Sequence, residues 1–238
     1  MSGLHSSSAR HRFNTTIRVL CPLIEDRIKR QRVHHWREYD LRKELVGCIL
    51  SSQVHHAMAI ACTENLDRAG LLDDTWWSTC RDDGFGSMVL DVLSGQRQDL
   101  PHRGCHRFYM VRASQLVQVR ESLARFPLLI RLANTEVPKR LRQSLIADIP
   151  GLGPKQASMF LRNVGTSYDL AILDTHVLRF MYMQALLPMV QPPYLGTITG
   201  YERAERVVIQ YADKLGYPAG YLDWAIWATM KAARELGL

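Results

Sequence analysis

Apolar residues recur three and four positions apart along most of this chain, and almost nowhere do they alternate with polar ones. Leu41, Leu45, Val46, Ile49 and Leu50 mark one such stripe and predict a helix over 41–50. Residues 57–69 are rich in alanine and methionine, hold no breaker, and run up to Gly70, a natural helix end. The same periodicity predicts helices over 109–125, 127–133, 137–149, 154–164, 175–187, 201–215 and 219–236. Glycines, prolines and polar clusters make loops of "CRDDGFGSM", "LSGQRQDLPHRGCHR" and "PMVQPPYLGTITG". No persuasive period-two run bounded by hairpin signals is present, nor any repeat of fixed length. The expected architecture is an all-α bundle of about ten helices.

Composition adds limits to this picture. A chain of 238 residues can build one large core or two small ones. It holds no run of about 18 uninterrupted apolar residues, so a membrane-spanning helix is not expected. The start "MSGLHSSSAR" lacks an apolar signal region, and a cytoplasmic location is expected. Five scattered cysteines (Cys21, Cys48, Cys62, Cys80, Cys105) form no CxxC pair and suggest free thiols. His102, Cys105 and His106 in "PHRGCHR" are too crowded for a tetrahedral zinc site, and no second cluster completes one.

Charge is uneven. The net charge is +7, and within residues 1–43 ten Lys or Arg face four acids, a local excess of six. Such a leader suits a polyanionic partner, nucleic acid first, or forms a solvated helix face or disordered segment.

The most informative stretch is "LIADIPGLGPKQASMFL". A helix ends near Ile149, Pro150-Gly151-Leu152-Gly153 makes a turn, and Pro154 takes the first position of a second helix. The unpaired N–H groups at that N-terminus form a ready anion site for a backbone phosphate. An ordinary tight helical hairpin has the same sequence features. Lys155 sits at the second helical position, where the helix dipole disfavours a cation and a neutral, nucleophilic amine gains. Nineteen residues on, Asp174 in "LAILDTHVLRF" opens the next helix, where an aspartate also serves as an N-cap. Val177 stands three residues later, so a reciprocal capping box is absent.

The hairpin, Lys155 in "GLGPKQA" and Asp174 in "ILDTHV" resemble the signature of the helix-hairpin-helix DNA glycosylase superfamily, which includes endonuclease III and the 8-oxoguanine DNA glycosylases. "CILSSQVHHAMAIACTENLDRAGLL" and "FYMVRASQLVQVRESL" are similar to segments of its compact bacterial and archaeal 8-oxoguanine branch. No cysteine follows Cys105, so the four-cysteine iron–sulfur loop of many members cannot form. No strands supply the N-terminal β-domain of the longer eukaryotic-type enzymes. The resemblance therefore implies two helical lobes: residues 1–44 with 164–238, and 45–163, the latter ending in the helix-hairpin-helix over 137–164.

It also implies a chemistry acting on double-stranded DNA with a modified base, without a cofactor or an obligate protein partner. The base is flipped out of the stack. Gly151, Leu152, Gly153 and Gln156 hold the DNA backbone, and Gln53 fills the vacated stack or is simply a polar helix-end residue. Lys155 attacks the sugar at C1′ and Asp174 assists, giving base release followed by strand cleavage. Asp223, Trp224 and Trp227 are base-pocket candidates, although two tryptophans three apart are equally at home in a core. The Leu238 carboxylate is expected near that pocket. Carbonyls of Ala147, Ile149 and Leu152 suit a monovalent cation that bridges to phosphate, and no catalytic metal is implied. His34, His35, His55 and His56 meet either phosphate or solvent, and His176 is expected as a satisfied helix-start histidine, with contact to DNA the alternative. The leading expectation is 8-oxoguanine excision. The same chemistry aimed at a bulky modified cytosine in phage DNA, as a defence, is an alternative; a non-catalytic DNA-binding hairpin module is one of another class.

Overall fold

A computed structural model describes residues 7–31, 36–78, 84–102, 104–133, 137–188 and 193–237. Among them the regular structure is entirely helical, in two compact units. One unit joins Met1–His34 to Gly165–Leu238, and the other is His35–Val164.

The His35–Val164 unit is built round α2 (Glu38–Leu50), which packs against α3 (His56–Arg68), α6 (Tyr109–Arg125), α7 (Leu128–Ala133) and α9 (Pro154–Asn163). Leu41, Arg42, Leu45, Val46, Cys48, Ile49 and Leu50 are all buried, so α2 is enclosed on nearly every side. α4 (Asp74–Trp77), α5 (Phe85–Leu93) and α8 (Pro138–Asp148) complete the unit.

Helix α5 begins inside the predicted loop "CRDDGFGSM". Gly84 caps it at φ +80°, and Phe85, Val89, Val92 and Leu93 bury one face at spacings of four, three and one. The glycines that suggested a loop sit at the cap and first turn, where they do not interrupt that face.

Buried charges in this unit each answer backbone or a partner. The Arg42 guanidinium donates to the Leu72 carbonyl at 2.5 Å and to Asp74 at 2.6 Å, and lies over the Trp77 ring. Glu38 accepts the Leu128 and Leu129 N–H groups at 2.8 and 2.9 Å, capping α7 from a helix ninety residues away in sequence. Arg131 ties the Phe126 carbonyl, Ser122 and Asp148 together.

In the other unit, α12 (Ala219–Glu235) packs against α1 (Ser7–Gln31), α10 (Thr175–Met183) and α11 (Ile198–Leu215). The described part of the basic leader is thus helix, not an unstructured arm. Phe13, Ile17, Cys21, Ile24 and Ile28 bury one face of α1, while Arg12, Arg18, Arg27, Lys29 and Arg30 stay exposed. Glu25 and Asp26 offset two of those charges through i,i+4 pairs with Lys29 and Arg30. α10 stops at Met183, short of the predicted 187, because Ala185 turns to φ +55° and ends the helical run.

His106, fully buried, fastens the loop after α5 to the end of α2. Its Nδ1 accepts the Phe108 N–H at 3.1 Å, so Nε2 carries the proton and donates to the Leu50 carbonyl at 2.9 Å. Both ring nitrogens serve backbone, and His102 instead meets Glu64. Burial lowers the His106 pKa, with Arg112 adding to the effect and the bond to Leu50 opposing it.

Below about pH 6.5 an unfolded imidazole gains a proton that the buried ring resists, so unfolding becomes favoured as pH falls. Stability is full above about pH 6.5 and is lost as pH falls from there through the lowered native value. Denaturant titrations between pH 7.5 and 5 should show this loss in the natural chain. The corresponding slope should be missing from His106→Gln, which has no proton to gain.

Candidate DNA-binding and catalytic residues

The hairpin follows from local chemistry. α8 ends at Asp148, and Ile149 leaves the helix at φ −115°, ψ 103°. The Leu152 N–H returns to the Ile149 carbonyl at 3.2 Å, closing the turn over Gly151 at φ +82°. Leu152 is buried and plugs the turn into the unit. Gly153 is the N-cap of α9, its carbonyl accepting the Ala157 N–H, and Pro154 is the first helical residue. Gly153 carries no side chain, so no capping oxygen covers the first-turn amides of α9.

Beneath the hairpin, buried Arg142 on α8 donates to Ser158 Oγ on α9 at 3.0 Å, and that hydroxyl donates to the Pro154 carbonyl. The two helices are therefore fixed to each other at the turn. Gln115 from α6 covers the outside of Gly151, its Oε1 held by Arg112 at 2.7 Å. Beside it lies a shallow groove of about 470 Å³ lined by Met110, Val111, Ser114, Gln115, Gln118 and Pro150.

Lys155 occupies the second position of α9 and is half-buried. On α2, burial pushes the Cys48 thiol well up, Glu44 adds to this, and the Arg162 and Lys155 charges oppose it. Gln156, the next residue, is buried, with its amide oxygen close over Gly153. What α9 presents outward at this end is consequently backbone N–H more than the Gln156 side chain. Gln53 lies in the turn between α2 and α3, exposed and at φ +60°. A non-glycine residue in this region costs about 1–2 kcal/mol relative to its usual conformations. His55 caps α3 by its backbone conformation alone and is exposed, as is His56.

Asp174 lies in the other unit. It is the N-cap of α10, with Oδ1 accepting the Val177 N–H at 2.8 Å and its carbonyl accepting the Leu178 N–H at 2.9 Å. Its own N–H returns to the Ile172 carbonyl at 3.0 Å in a three-residue turn. His176 follows in the first turn, half-buried.

The irregular residues before Asp174 are buried, and no strand among the described residues pairs with them. Glu205 accepts the Ala171 N–H at 3.1 Å, Asp223 that of Ile172 at 2.8 Å, and the Tyr201 hydroxyl that of Leu173 at 2.9 Å. Tyr201 also donates to the Ala171 carbonyl at 2.8 Å. Upstream, the Gly220 N–H donates to the Tyr168 carbonyl at 2.7 Å, and a Cβ on Gly220 would stand 3.0 Å from that oxygen.

Asp223, expected at a base pocket, is thus 1% exposed and engaged with backbone. Trp224 and Trp227 are half-buried; Arg27 lies over the first ring at 5.6 Å and Lys231 over the second at 4.9 Å. Trp224 packs against the core of its unit. Leu238, His34 and His35 lie outside the described residues. Tyr201 and Glu205 went unmarked in the sequence. A glutamate on the apolar face of α11, with Tyr201, Ala204, Val208 and Ala212, was the signal for one of them.

Known proteins share this fold. The sequence pattern of a family described as 8-oxoguanine DNA glycosylase matches residues 91–217, a span that includes the hairpin, Lys155 and Asp174. The 8-oxoguanine DNA glycosylase/AP lyase of Aquifex aeolicus is 30% identical over 198 residues, covering 80% of this chain and 76% of that one. The protein of the same name from Thermoplasma acidophilum is 33% identical over 189 residues, covering 79% and 78%. Among solved structures, the 8-oxoguanine DNA glycosylase of Thermotoga maritima superposes with a TM-score of 0.69 at 24% identity, over 92% of this chain and 94% of its own. That of Methanocaldococcus jannaschii gives 0.70 at 22% identity, over 98% of each.

Two substitutions test the local geometry. Gly151→Ala should lower the unfolding free energy by about 1–2 kcal/mol, the cost of a left-handed alanine, since the Gln115 side chain can swing clear. Gln53→Gly should raise it by up to about 1 kcal/mol by relieving the same cost. Urea unfolding of both variants beside the natural chain checks the opposite signs.

Proposed function

Because the chain belongs to the 8-oxoguanine DNA glycosylase family, we propose that it releases 8-oxoguanine from double-stranded DNA and then nicks the strand as an AP lyase. The observation that carries this reading is Lys155 at the second position of α9, directly behind a glycine turn, in a chain that also has an aspartate-capped helix at 174.

The turn at Gly151–Gly153 and the first amides of α9 suit a phosphate oxygen, because N–H dipoles and the helix macrodipole both favour negative charge there. They touch backbone and leave base identity unread. With the lesion nucleotide extruded, exposed Gln53, already held in its unusual conformation, fills the gap. The Lys155 amine attacks C1′, and the C1′–N bond breaks with its electron pair leaving on the base, which takes up a proton. Loss of a proton from nitrogen and opening of the sugar ring give a Schiff base. Removal of a C2′ proton then expels the 3′ phosphate by β-elimination. Asp174 stabilises the positive charge that builds on the sugar and serves as proton acceptor.

Ala147 at the end of α8 and Ile149 and Leu152 in the turn would offer their carbonyls, and the Ile149 oxygen accepts Leu152 N–H with a second lone pair in reserve. That donor set fits a monovalent cation beside a phosphate. Trp224 or Trp227 supplies a flat surface for the flipped base. No helix among the described residues is long and apolar enough to cross a membrane. The place of action follows from the DNA substrate, with the cytoplasm expected. No observation favours redirection to a bulky modified cytosine, and a non-catalytic module leaves Lys155 and Asp174 without a use.

Borohydride trapping on a duplex carrying 8-oxoguanine tests the reading. The natural chain should form a covalent adduct that Lys155→Ala loses. Asp174→Asn should slow base release on the order of 10²–10³-fold while leaving DNA affinity nearly intact. Absence of an adduct with any lesion would sink the lyase activity, and full activity in both variants would sink the assignment of the two residues.

A further inference from the structure

The segment from Leu170 to Leu173 is an unusual piece of backbone for this chain. It is buried throughout, at 1%, 0%, 5% and 3% exposure, yet it belongs to no helix. Buried N–H groups without partners cost about 1–3 kcal/mol each, so such a segment is stable only if side chains answer it. Three do so, on three successive residues: Glu205 for Ala171, Asp223 for Ile172 and Tyr201 for Leu173. Two come from α11 and one from α12, and all three side chains are buried themselves. The next residue is Asp174, whose N–H closes onto Ile172 and whose carboxylate caps α10.

We propose that Tyr201, Glu205 and Asp223 are positioning residues that act together as a clamp on the backbone of residues 171–173 and thereby fix where Asp174 presents its carboxylate. The Ala171 and Leu173 N–H groups meet side chains of α11, and that of Ile172 between them meets one of α12. Acceptors on α11 and α12 therefore hold the segment from more than one direction, and Tyr201 closes a small ring by bonding both Leu173 N–H and the Ala171 carbonyl. Oδ1 of Asp174 is committed to Val177, so the placement of the second oxygen, Oδ2, is set by this backbone and by the first turn of α10. The clamp gives Asp223 a different task from reading a base: its Oδ2 is spent on Ile172.

The importance of the clamp for chemistry rests on the role proposed for Asp174. A shift of about 1 Å in a reacting group costs on the order of 10²-fold in rate. The variants follow from what each side chain supplies. Asp223→Asn and Glu205→Gln keep an oxygen acceptor of the same reach, whereas Asp223→Leu and Glu205→Leu remove it. Tyr201→Phe deletes one hydroxyl with the ring left in place, and it serves where a leucine variant does not fold.

Hydrogen exchange measured by mass spectrometry on the peptide spanning 168–178 tests the clamp without reference to catalysis. Tyr201→Phe and Asp223→Leu should speed exchange there roughly tenfold, the equivalent of one lost hydrogen bond, while peptides of α2 and α9 keep their protection. Unchanged exchange at 168–178 in both variants overturns the proposal.

Single-turnover base release from duplex DNA carrying 8-oxoguanine tests the consequence. Both variants should fall on the order of 10²-fold with unchanged DNA affinity, and Asp223→Asn should recover most of the rate. In an Asp174→Asn background Tyr201→Phe should have almost no further effect, because the group it positions is already disabled. Full multiplication of the two losses overturns the link to Asp174. A natural chain that shows the protected segment but releases no base would instead sink the proposed function and leave the clamp standing.

Discussion

A helix satisfies its own peptide groups, but inside a core the residues between helices have no such provision, and that constraint organises this protein. At several places among the described residues where the chain leaves a helix, a polar side chain meets the free backbone groups. Glu38 caps α7, Arg42 takes the Leu72 carbonyl, His106 joins the loop after α5 to the end of α2, and Arg131 holds the turn at Phe126. Tyr201, Glu205 and Asp223 do the same for the segment before Asp174. For the buried members, Arg42, His106, Tyr201, Glu205 and Asp223, the side chain would be costly if left alone, since it is removed from water. Arg42, Glu205 and Asp223, charged residues that are buried here, act as fasteners of irregular backbone.

That arrangement explains which features could be seen in the sequence. The hairpin is local: Pro150, Gly151, Gly153 and Pro154 specify turn and helix start without help from distant residues, and the structure has them there. The Asp174 cap is equally local, and its Val177 partner lies only three residues away. Long apolar periodicities located most helices. Helix α5 is obscured because the loop-like residues "GFG" stand at its cap, and α1 because its many charges interrupt the Phe13, Ile17, Cys21, Ile24, Ile28 stripe in the sequence. What no local pattern discloses is the far partner. Glu205 meets Ala171 across thirty-four residues and Asp223 meets Ile172 across fifty-one, so an acid on an apolar face could be noticed but its backbone target could not. The tasks expected of Gln53, Trp224 and Trp227 likewise depend on a bound nucleic acid.

Each of the two units holds some of the residues named in the proposed chemistry. His35–Val164 holds the glycine turn, Lys155 and Gln53; Gly165–Leu238 with the N-terminal helix holds Asp174 and the α12 tryptophans. Each part rests on its own unit's packing, the turn on Arg142, Ser158 and Leu152, the aspartate on the α11 and α12 side chains.

Gly220 sharpens what this means for inherited variation. It stands at the start of α12 with its N–H on Tyr168, and a single methyl group there would press against the Tyr168 carbonyl. The residues that follow Tyr168 lead without interruption to Asp174, and Asp223 lies one turn further along the same helix. A change of one small residue, with every reacting side chain intact, would press on the backbone that leads into the clamp. Sequence surveys that look only for the lysine and the aspartate would score such an allele as active. If the clamp positions Asp174 as proposed, the triplet of side chains on α11 and α12 and the glycine at their approach belong beside the lysine and the aspartate as marks of a working copy.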